Sequence, residues 1–240
     1  MAIELECIDV AKSFGSLNAL NGVTFKLSGC IVKGLIGPNG SGKTVMLNVI
    51  TKVPYGLDDG KILLNGRSIV NLKPSQICKL GISRTFQTIS YFPTLTVEEN
   101  LLVAADALGK DREIVQKALD STDLQGKEKL KADTLSFFDL KKLMLAAALS
   151  HDPKLLLLDE PLGGLSEDEA TQTLDMIKRL NESGRTILII EHKIRELVDV
   201  CDELMVFHMG KVIADGEPSQ VISMEKVLEA YFGGKPSAQS

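Results

Sequence analysis

The sequence feature that most constrains this chain is a glycine-rich octapeptide that lies between an apolar run and a segment with helical spacing. The octapeptide reads Gly37-Pro38-Asn39-Gly40-Ser41-Gly42-Lys43-Thr44, which is a glycine, four residues and then Gly-Lys-Thr. The apolar run at 31–36 is typical of a buried parallel strand, and the apolar spacing after Thr44 is that of a helix. Strand, glycine-rich loop and helix in this order predict a loop that binds phosphate groups.

The backbone of this loop explains why its residues suit a phosphate chain. Gly37, Gly40 and Gly42 allow torsions that a side chain forbids, so successive N–H groups can point toward one centre. Those donors and the positive end of the following helix favour a bound anion. Lys43 adds an ammonium beside the terminal phosphates, and the Thr44 hydroxyl is a hard oxygen ligand for Mg²⁺. The octapeptide alone leaves one alternative open, a glycine-rich turn that arose by chance.

Composition and charge narrow the class of protein. The 240 residues are 44% hydrophobic and 25% charged, an ordinary balance for one large globular domain. The net charge of −5 argues against nucleic acid as the main partner. No window approaches the roughly 18 apolar residues of a membrane span, and the N-terminus lacks a signal-peptide pattern. The four cysteines are scattered without CxxC spacing, so we expect buried free thiols in a reducing cytosol.

The order of predicted elements indicates an α/β core with two additions. Strands at 3–10 and 23–27 and a tight hairpin at Asn65-Gly66 predict an antiparallel β part near the N-terminus. Capping boxes at 96–99 and 166–169 predict helix starts. We therefore expect three parts, which are a core with its β subdomain at 1–87 and 151–233, a helical subdomain at 88–150, and a disordered tail at 234–240.

Candidate site residues outside the loop lie at the ends of predicted strands and turns. Phe14 could stack on a flat base, although a phenylalanine of the core is the alternative. The apolar run at 154–158 ends in Asp159-Glu160, and a buried pair of carboxylates is costly without a nearby cation. The apolar strand at 186–190 is followed by His192. A lone histidine at a strand end is usually structural, but its spacing from Asp159 favours a functional role.

The motifs taken together resemble those of an ATP-binding-cassette ATPase. The resemblance spans residues 14–233 and rests on the phosphate loop, Gln87, Leu135-Ser136, residues 155–161 and His192. Within that class, the stretches 81–87, 95–101 and 189–192 are similar to those of branched-chain amino acid transport ATP-binding subunits.

This resemblance implies a fold, bound groups and roles. The implied fold is an α/β P-loop NTPase with a RecA-like core, an N-terminal antiparallel β subdomain and an inserted helical subdomain. ATP would lie on the phosphate loop, and Thr44, Gln87 and Asp159 would hold Mg²⁺. Glu160 would polarise the attacking water as general base, and His192 would donate a hydrogen bond to the γ-phosphate. Gln87 would also sense a membrane partner.

The family's signature, Leu-Ser-Gly-Gly-Gln, is altered in this chain to Leu135-Ser136-Phe137-Phe138-Asp139. Ser136 matches and can cap a helix, but Phe138 replaces a glycine that lets backbone N–H groups approach the partner's phosphate. Asp139 replaces a neutral amide, and we expect its charge to repel that phosphate. An asymmetric heterodimer with a second cassette subunit follows. A signature that works after rearrangement, and an engineered or substituted stretch, are the alternatives.

These features predict the ATP-hydrolysing subunit of a transporter at the cytoplasmic face of the cell membrane, working with separate permease subunits. The resemblance favours import of branched-chain or related amino acids. A soluble cassette ATPase of translation or DNA repair is disfavoured because the chain has one cassette and a short path from Lys43 to Asp159. A regulatory subunit that binds nucleotide without hydrolysis is disfavoured by Glu160 and His192.

Overall fold

A computed structural model describes residues 3–232 of the chain, so the predicted tail at 234–240 lies outside the described residues. The strands are β1 (Glu4–Phe14), β2 (Leu17–Ser28), β3 (Val32–Ile36), β4 (Asp59–Leu64), β5 (Arg67–Ser68), β6 (Ile82–Arg84), β7 (Leu155–Asp159), β8 (Thr186–Ile190), β9 (Glu203–His208) and β10 (Lys211–Gly216). The helices are α1 (Lys43–Thr51), α2 (Pro74–Lys79), α3 (Val97–Asp106), α4 (Arg112–Ser121), α5 (Phe137–Leu149), α6 (Glu167–Glu182), α7 (Ile194–Val198), α8 (Pro218–Ser223) and α9 (Glu225–Phe232).

A six-stranded sheet of order β10-β9-β3-β8-β7-β6 forms the centre of the molecule. Its pairs are parallel except for the β9–β10 hairpin. Every residue of β3, β7 and β8 is buried, as the continuous apolar runs predict for parallel strands covered on both faces. Because these strands are parallel, the loops after β3, β7 and β8 meet at one edge of the sheet.

The two faces of this sheet belong to different apolar clusters. Leu156 and Leu158 pack with α6 and with the helices of segment 97–149. Leu155 and Leu157 pack with α1 and with a four-stranded antiparallel sheet of order β2-β1-β4-β5. Successive residues of a strand point to opposite faces, so one run of leucines fills both cores.

The antiparallel sheet confirms the predicted hairpin and lengthens a predicted strand. Asn65 and Gly66 both have positive φ, 50° and 77°, as a two-residue type I′ turn requires. The strand expected at 23–27 extends from Leu17 to Ser28, because it pairs with β1 along its length through several register shifts. Asn18, Asn21 and Gly22 have low strand propensity, and pairing with a long neighbour overrides it.

Residues 88–150 contain α3, α4 and α5, which pack on one another. The predicted capping boxes at Thr96 and Ser166 are present at the starts of α3 and α6. The apolar side chains of α3, α4 and α5 join the cluster on one face of the central sheet rather than a separate core. The division of the chain at 87/88 and 150/151 therefore stays a prediction.

Among residues 3–232, none of the helices has the length and apolar character needed to cross a bilayer. The expectation that the cysteines are buried is only partly met. Cys7 and Cys201 are buried, Cys78 is half-buried and Cys30 is exposed; all four are free thiols.

Candidate functional site

The glycine-rich loop lies between β3 and α1, where two of its glycines touch neighbouring backbone. A Cβ on Gly37 would lie 2.1 Å from the carbonyl oxygen of Phe207, and one on Gly42 would lie 2.5 Å from that of Ala19. Their φ angles are 152° and 106°, which other residues rarely adopt. A Cβ on Gly40 would meet open space. The loop therefore needs glycine at both ends for packing as well as for conformation.

Two polar side chains of the loop are buried in a way that suits an anion. The hydroxyl of Ser41 has no hydrogen-bond partner within the described part of the chain. Lys43 Nζ donates to the carbonyl oxygens of Gly37 (2.7 Å) and Pro38 (3.0 Å), so it closes on its own loop. Burial lowers the pKa of Lys43, and nearby carboxylates act in the opposite direction. Asn39 is exposed at the loop's tip. A phosphate group within the loop would give both buried side chains a partner.

The residue after the loop lysine lies beside the acidic end of β7. Thr44 Oγ1 is 3.4 Å from Oδ1 of Asp159, whose side chain is 1% exposed. The other carboxylate oxygen, Oδ2, is 2.7 Å from Nη2 of Arg84. Arg84 is a residue that the sequence interpretation missed. Its signal was a lone arginine at the end of a short strand, but its partner depends on the parallel pairing of β6 with β7.

Glu160, Gln87 and His192 come together from three different loops. Oε1 of Glu160 is 2.8 Å from Nε2 of His192, and Oε2 accepts a hydrogen bond of 2.9 Å from Nε2 of Gln87. Glu160 has a positive φ of 52°, an uncommon and strained conformation for a glutamate. Its backbone N–H still donates to the carbonyl oxygen of Ile190, so this turn is fixed to the end of β8.

Glu191, also missed from the sequence, fastens the turn that follows Glu160. Its carboxylate accepts hydrogen bonds from the backbone N–H groups of Leu162 (2.6 Å) and His192 (3.2 Å). Burial raises the pKa of Glu191, and these two hydrogen bonds oppose that rise. Glu191 thereby holds together the two turns that present Glu160 and His192.

Phe14 lies on the surface at the end of β1, so the alternative of a core phenylalanine is wrong. Its ring meets that of Tyr55 edge to face at 5.0 Å between centroids, and Lys12 Nζ lies 5.5 Å from the Phe14 centroid. The hydroxyl of Tyr55 accepts a hydrogen bond of 2.7 Å from Asn48 on α1. The aromatic pair is thus attached to the helix that begins in the glycine-rich loop.

Ser136 caps α5, and the altered stretch after it packs against the loop that follows Glu160. The Ser136 hydroxyl accepts a hydrogen bond of 3.1 Å from the backbone N–H of Asp139. The ring of Phe137 lies so near Gly164 that a Cβ there would be 3.1 Å from it. Phe138 packs with the apolar cluster that includes Leu165.

One expectation about this stretch needs correction. Asp139 Oδ2 is 2.6 Å from Nζ of Lys127, so its charge is compensated by an ion pair and repels an incoming phosphate less than the sequence suggested. The expected obstacle to a partner's phosphate at the start of α5 is therefore mainly the bulk of Phe137 and Phe138.

Comparison with known proteins now places the chain. A family model described as ABC transporter matches residues 20–163. The chain belongs to the ABC transporter family. This cassette is 34% identical to the probable branched-chain amino acid transport ATP-binding protein LivG of Archaeoglobus fulgidus, over 97% of the chain and 96% of the relative. It is 33% identical to the high-affinity protein BraF of Pseudomonas aeruginosa, described in the same terms, over 95% and 97%.

Solved structures agree with the fold of this cassette. A nucleotide-free ATP-binding cassette of an ABC transporter matches with a TM-score of 0.87 and 32% identity, over 97% of this chain and 100% of that one. A cassette in its ADP conformation matches with a TM-score of 0.88 and 32% identity, over 98% and 100%. The predicted fold, the family resemblance and the class of ATP-hydrolysing enzyme are therefore confirmed.

Proposed function

We propose that this cassette binds ATP on residues 37–44 and hydrolyses it with Glu160 as general base. The main support for the proposal is that Glu160, Gln87 and His192 converge at the same edge of the sheet as the glycine-rich loop. The Ser41 hydroxyl, which has no partner among the described residues, would bond a phosphate oxygen. Lys43 would give up its hydrogen bond to the carbonyl oxygen of Gly37 and bond phosphate instead. Exposed Phe14 would offer its ring to the adenine.

The residues beside Thr44 fit Mg²⁺ as the partner of the phosphates. Thr44 Oγ1 and Asp159 Oδ1 are hard oxygens 3.4 Å apart, the donor type that Mg²⁺ prefers. Gln87 donates through its amide nitrogen, and its amide oxygen accepts no hydrogen bond from the described residues. When bound, Mg²⁺ would neutralise charge on the terminal phosphates. Thr44, Asp159 and Gln87 are the residues we assign to it.

The proposed reaction is attack of water on the γ-phosphorus, with the bond to the leaving ADP oxygen breaking. Glu160 takes the proton from the attacking water, and its contacts with Gln87 and His192 hold the carboxylate in place. His192 orients Glu160 through Nε2 and can donate that N–H to the γ-phosphate as charge develops. Each carboxylate oxygen of Glu160 has one hydrogen-bond partner, Gln87 or His192, and keeps a further lone pair that can accept from the attacking water.

The names of the relatives support a role in transport. LivG and BraF are named branched-chain amino acid transport ATP-binding proteins, so we propose that this cassette powers import of branched-chain or related amino acids. Separate permease subunits would supply the membrane path, and the cassette would lie on the cytoplasmic face. We assign no nucleic acid partner.

The experiment is deletion of the gene, with uptake of labelled leucine, isoleucine and valine measured in intact cells. We expect uptake to fall to background and to return with the wild-type gene but not with the Glu160→Gln gene. Normal uptake in the deletion strain would reject the transport role. Fractionation with ribosomes instead of membranes would support the soluble alternative.

We further propose that the cassette works in an asymmetric heterodimer. The phenylalanines that occupy the signature pack on Gly164 and Leu165 and leave no glycine at which backbone N–H groups could approach a partner's phosphate. This chain's own ATP would then face an intact signature on the partner. In the mixed complex, Glu160→Gln should abolish most turnover, and the equivalent change in the partner should have little effect. Equal losses would reject the asymmetry.

A further inference from the structure

Arg84 is the cation closest to Asp159, and its whole side chain is built into the protein. The side chain is 4% exposed, and Nη2 lies 2.7 Å from Asp159 Oδ2. Its Nη1 donates to Oδ1 of Asn48 on α1. The guanidinium carbon lies 5.0 Å from the centroid of the Phe86 ring. A strand, a helix and a loop therefore fix the position of this one guanidinium.

Asp159 is fixed from three directions as a result. Its Oδ2 is held by Arg84, its backbone N–H donates to Thr85 Oγ1 (3.3 Å), and its Oδ1 is directed at Thr44 (3.4 Å). A carboxylate that is 1% exposed is costly to bury alone, and Arg84 supplies the compensating charge. The planar fork of an arginine presents separate N–H groups to Asp159 and Asn48 in a fixed geometry, whereas a lysine offers a single ammonium on a flexible chain.

We propose that Arg84 is a positioning residue for the Mg²⁺ site. Arg84 occupies one oxygen of Asp159 and leaves the other, on the Thr44 side, as the ligand. The inference rests on the proposed Mg²⁺ site and adds a residue that does not itself touch the ion. Partners that orient a metal ligand typically contribute roughly 10- to 100-fold in metal affinity.

The position of Arg84 in the chain extends this role to the second carboxylate. Arg84 ends β6, and three residues later Gln87 donates to Glu160. Segment 84–87 thus contacts Asp159 at one end and Glu160 at the other. Any shift of this segment changes the metal ligand and the proposed general base together.

The test is a titration of free Mg²⁺ with the purified full chain and a fluorescent, non-hydrolysable ATP analogue. Analogue binding is first measured in EDTA, where Mg²⁺ contributes nothing, and then as a function of Mg²⁺. The variants are Arg84→Met, which keeps most of the volume without the charge, and Arg84→Lys, which keeps the charge without the fork. Arg179→Met is the matched control, because Arg179 forms an exposed ion pair with Asp123.

We expect Arg84→Met to keep the wild-type affinity in EDTA within about twofold. Its half-saturating Mg²⁺ concentration should rise roughly 10- to 100-fold, with a smaller rise in Arg84→Lys and none in Arg179→Met. If Arg84→Met does not fold, Arg84→Lys decides the question by the same titration.

Two results would overturn the inference, and only the second would also reject the proposed Mg²⁺ site. A wild-type half-saturating Mg²⁺ concentration in Arg84→Met, or in Arg84→Lys where Arg84→Met is unfolded, would remove the role of Arg84 and leave the Mg²⁺ site intact. Absence of any Mg²⁺ effect in the wild-type chain would remove the proposed Mg²⁺ site, and the role of Arg84 with it.

Discussion

At the scale of single residues, the site depends on glycines and on backbone conformation as well as on its polar side chains. Gly37 lies against the carbonyl oxygen of Phe207, and Glu160 takes a backbone conformation that is uncommon for a glutamate. Both features hold functional groups in place at a cost in stability that the surrounding sheet offsets.

The first prediction compares two glycines of the same loop. Gly37→Ala should lower the free energy of unfolding by roughly 3 kcal/mol or more, because its Cβ would overlap backbone that cannot move aside. Gly40→Ala has open space and only an unfavourable φ of 75°, so the expected loss is about 1 kcal/mol. Urea denaturation measures both values. Equal losses at the two positions would show that packing against Phe207 does not matter.

At the scale of elements, the proposed asymmetry depends on the start of α5. The helix begins at Phe137 because the Ser136 cap starts it there. Phe137 and Phe138 then lie where a glycine pair would expose backbone donors.

The second prediction restores those donors. Phe137→Gly, Phe138→Gly and Asp139→Gln are combined with Glu160→Gln in this chain, so that only the partner's ATP is hydrolysed in the mixed complex. Turnover at the partner's site should rise roughly tenfold or more above that of the complex with Glu160→Gln alone, because backbone N–H groups can then approach the γ-phosphate. Phe137→Leu with Phe138→Leu keeps the bulk and should give no rise. Unchanged turnover in the glycine variant would contradict a blocked signature.

Some elements can be predicted from local sequence patterns, whereas others depend on strand pairing and helix packing. Local sequence patterns predict the glycine-rich loop, the two capping boxes and the strands that precede Glu160 and His192. The structure contains each of them where expected. Arg84 and Lys127 were missed because their carboxylate partners are set by strand pairing and helix packing. The length of β2 was missed because its pairing with β1 outweighs the weak propensity of its first half.

At the scale of the whole molecule, histidine burial adds a dependence of stability on pH. His151 lies after α5 against α2 and β6, with Nδ1 3.3 Å from Cys78 Sγ and 3.1 Å from Ser83 Oγ. Burial lowers its pKa below the ordinary 6.5, a hydrogen bond to Ala104 opposes this, and the charge of Lys110 adds to it. Below pH 6.5 the unfolded chain therefore binds a proton that the folded chain does not.

The third prediction follows from that difference. As the pH falls from about 6.5 to about 5, His151 should lower the free energy of unfolding, so His151→Asn should lose less stability than the wild type over the same interval. Urea unfolding at three pH values in this range gives both slopes. The same slope in the variant and the wild type would assign the effect to other groups.

The central proposal is that this chain hydrolyses its own ATP in one cleft, and substitution of Glu160 tests it most directly. ATP affinity and turnover are measured in the assembled transporter for the wild type, for Glu160→Gln, and for Glu167→Gln as a control on the exposed start of α6. We predict that Glu160→Gln binds ATP within about twofold of the wild type while turnover falls roughly 10²- to 10⁴-fold, with the control unchanged. Wild-type turnover in Glu160→Gln would contradict the account.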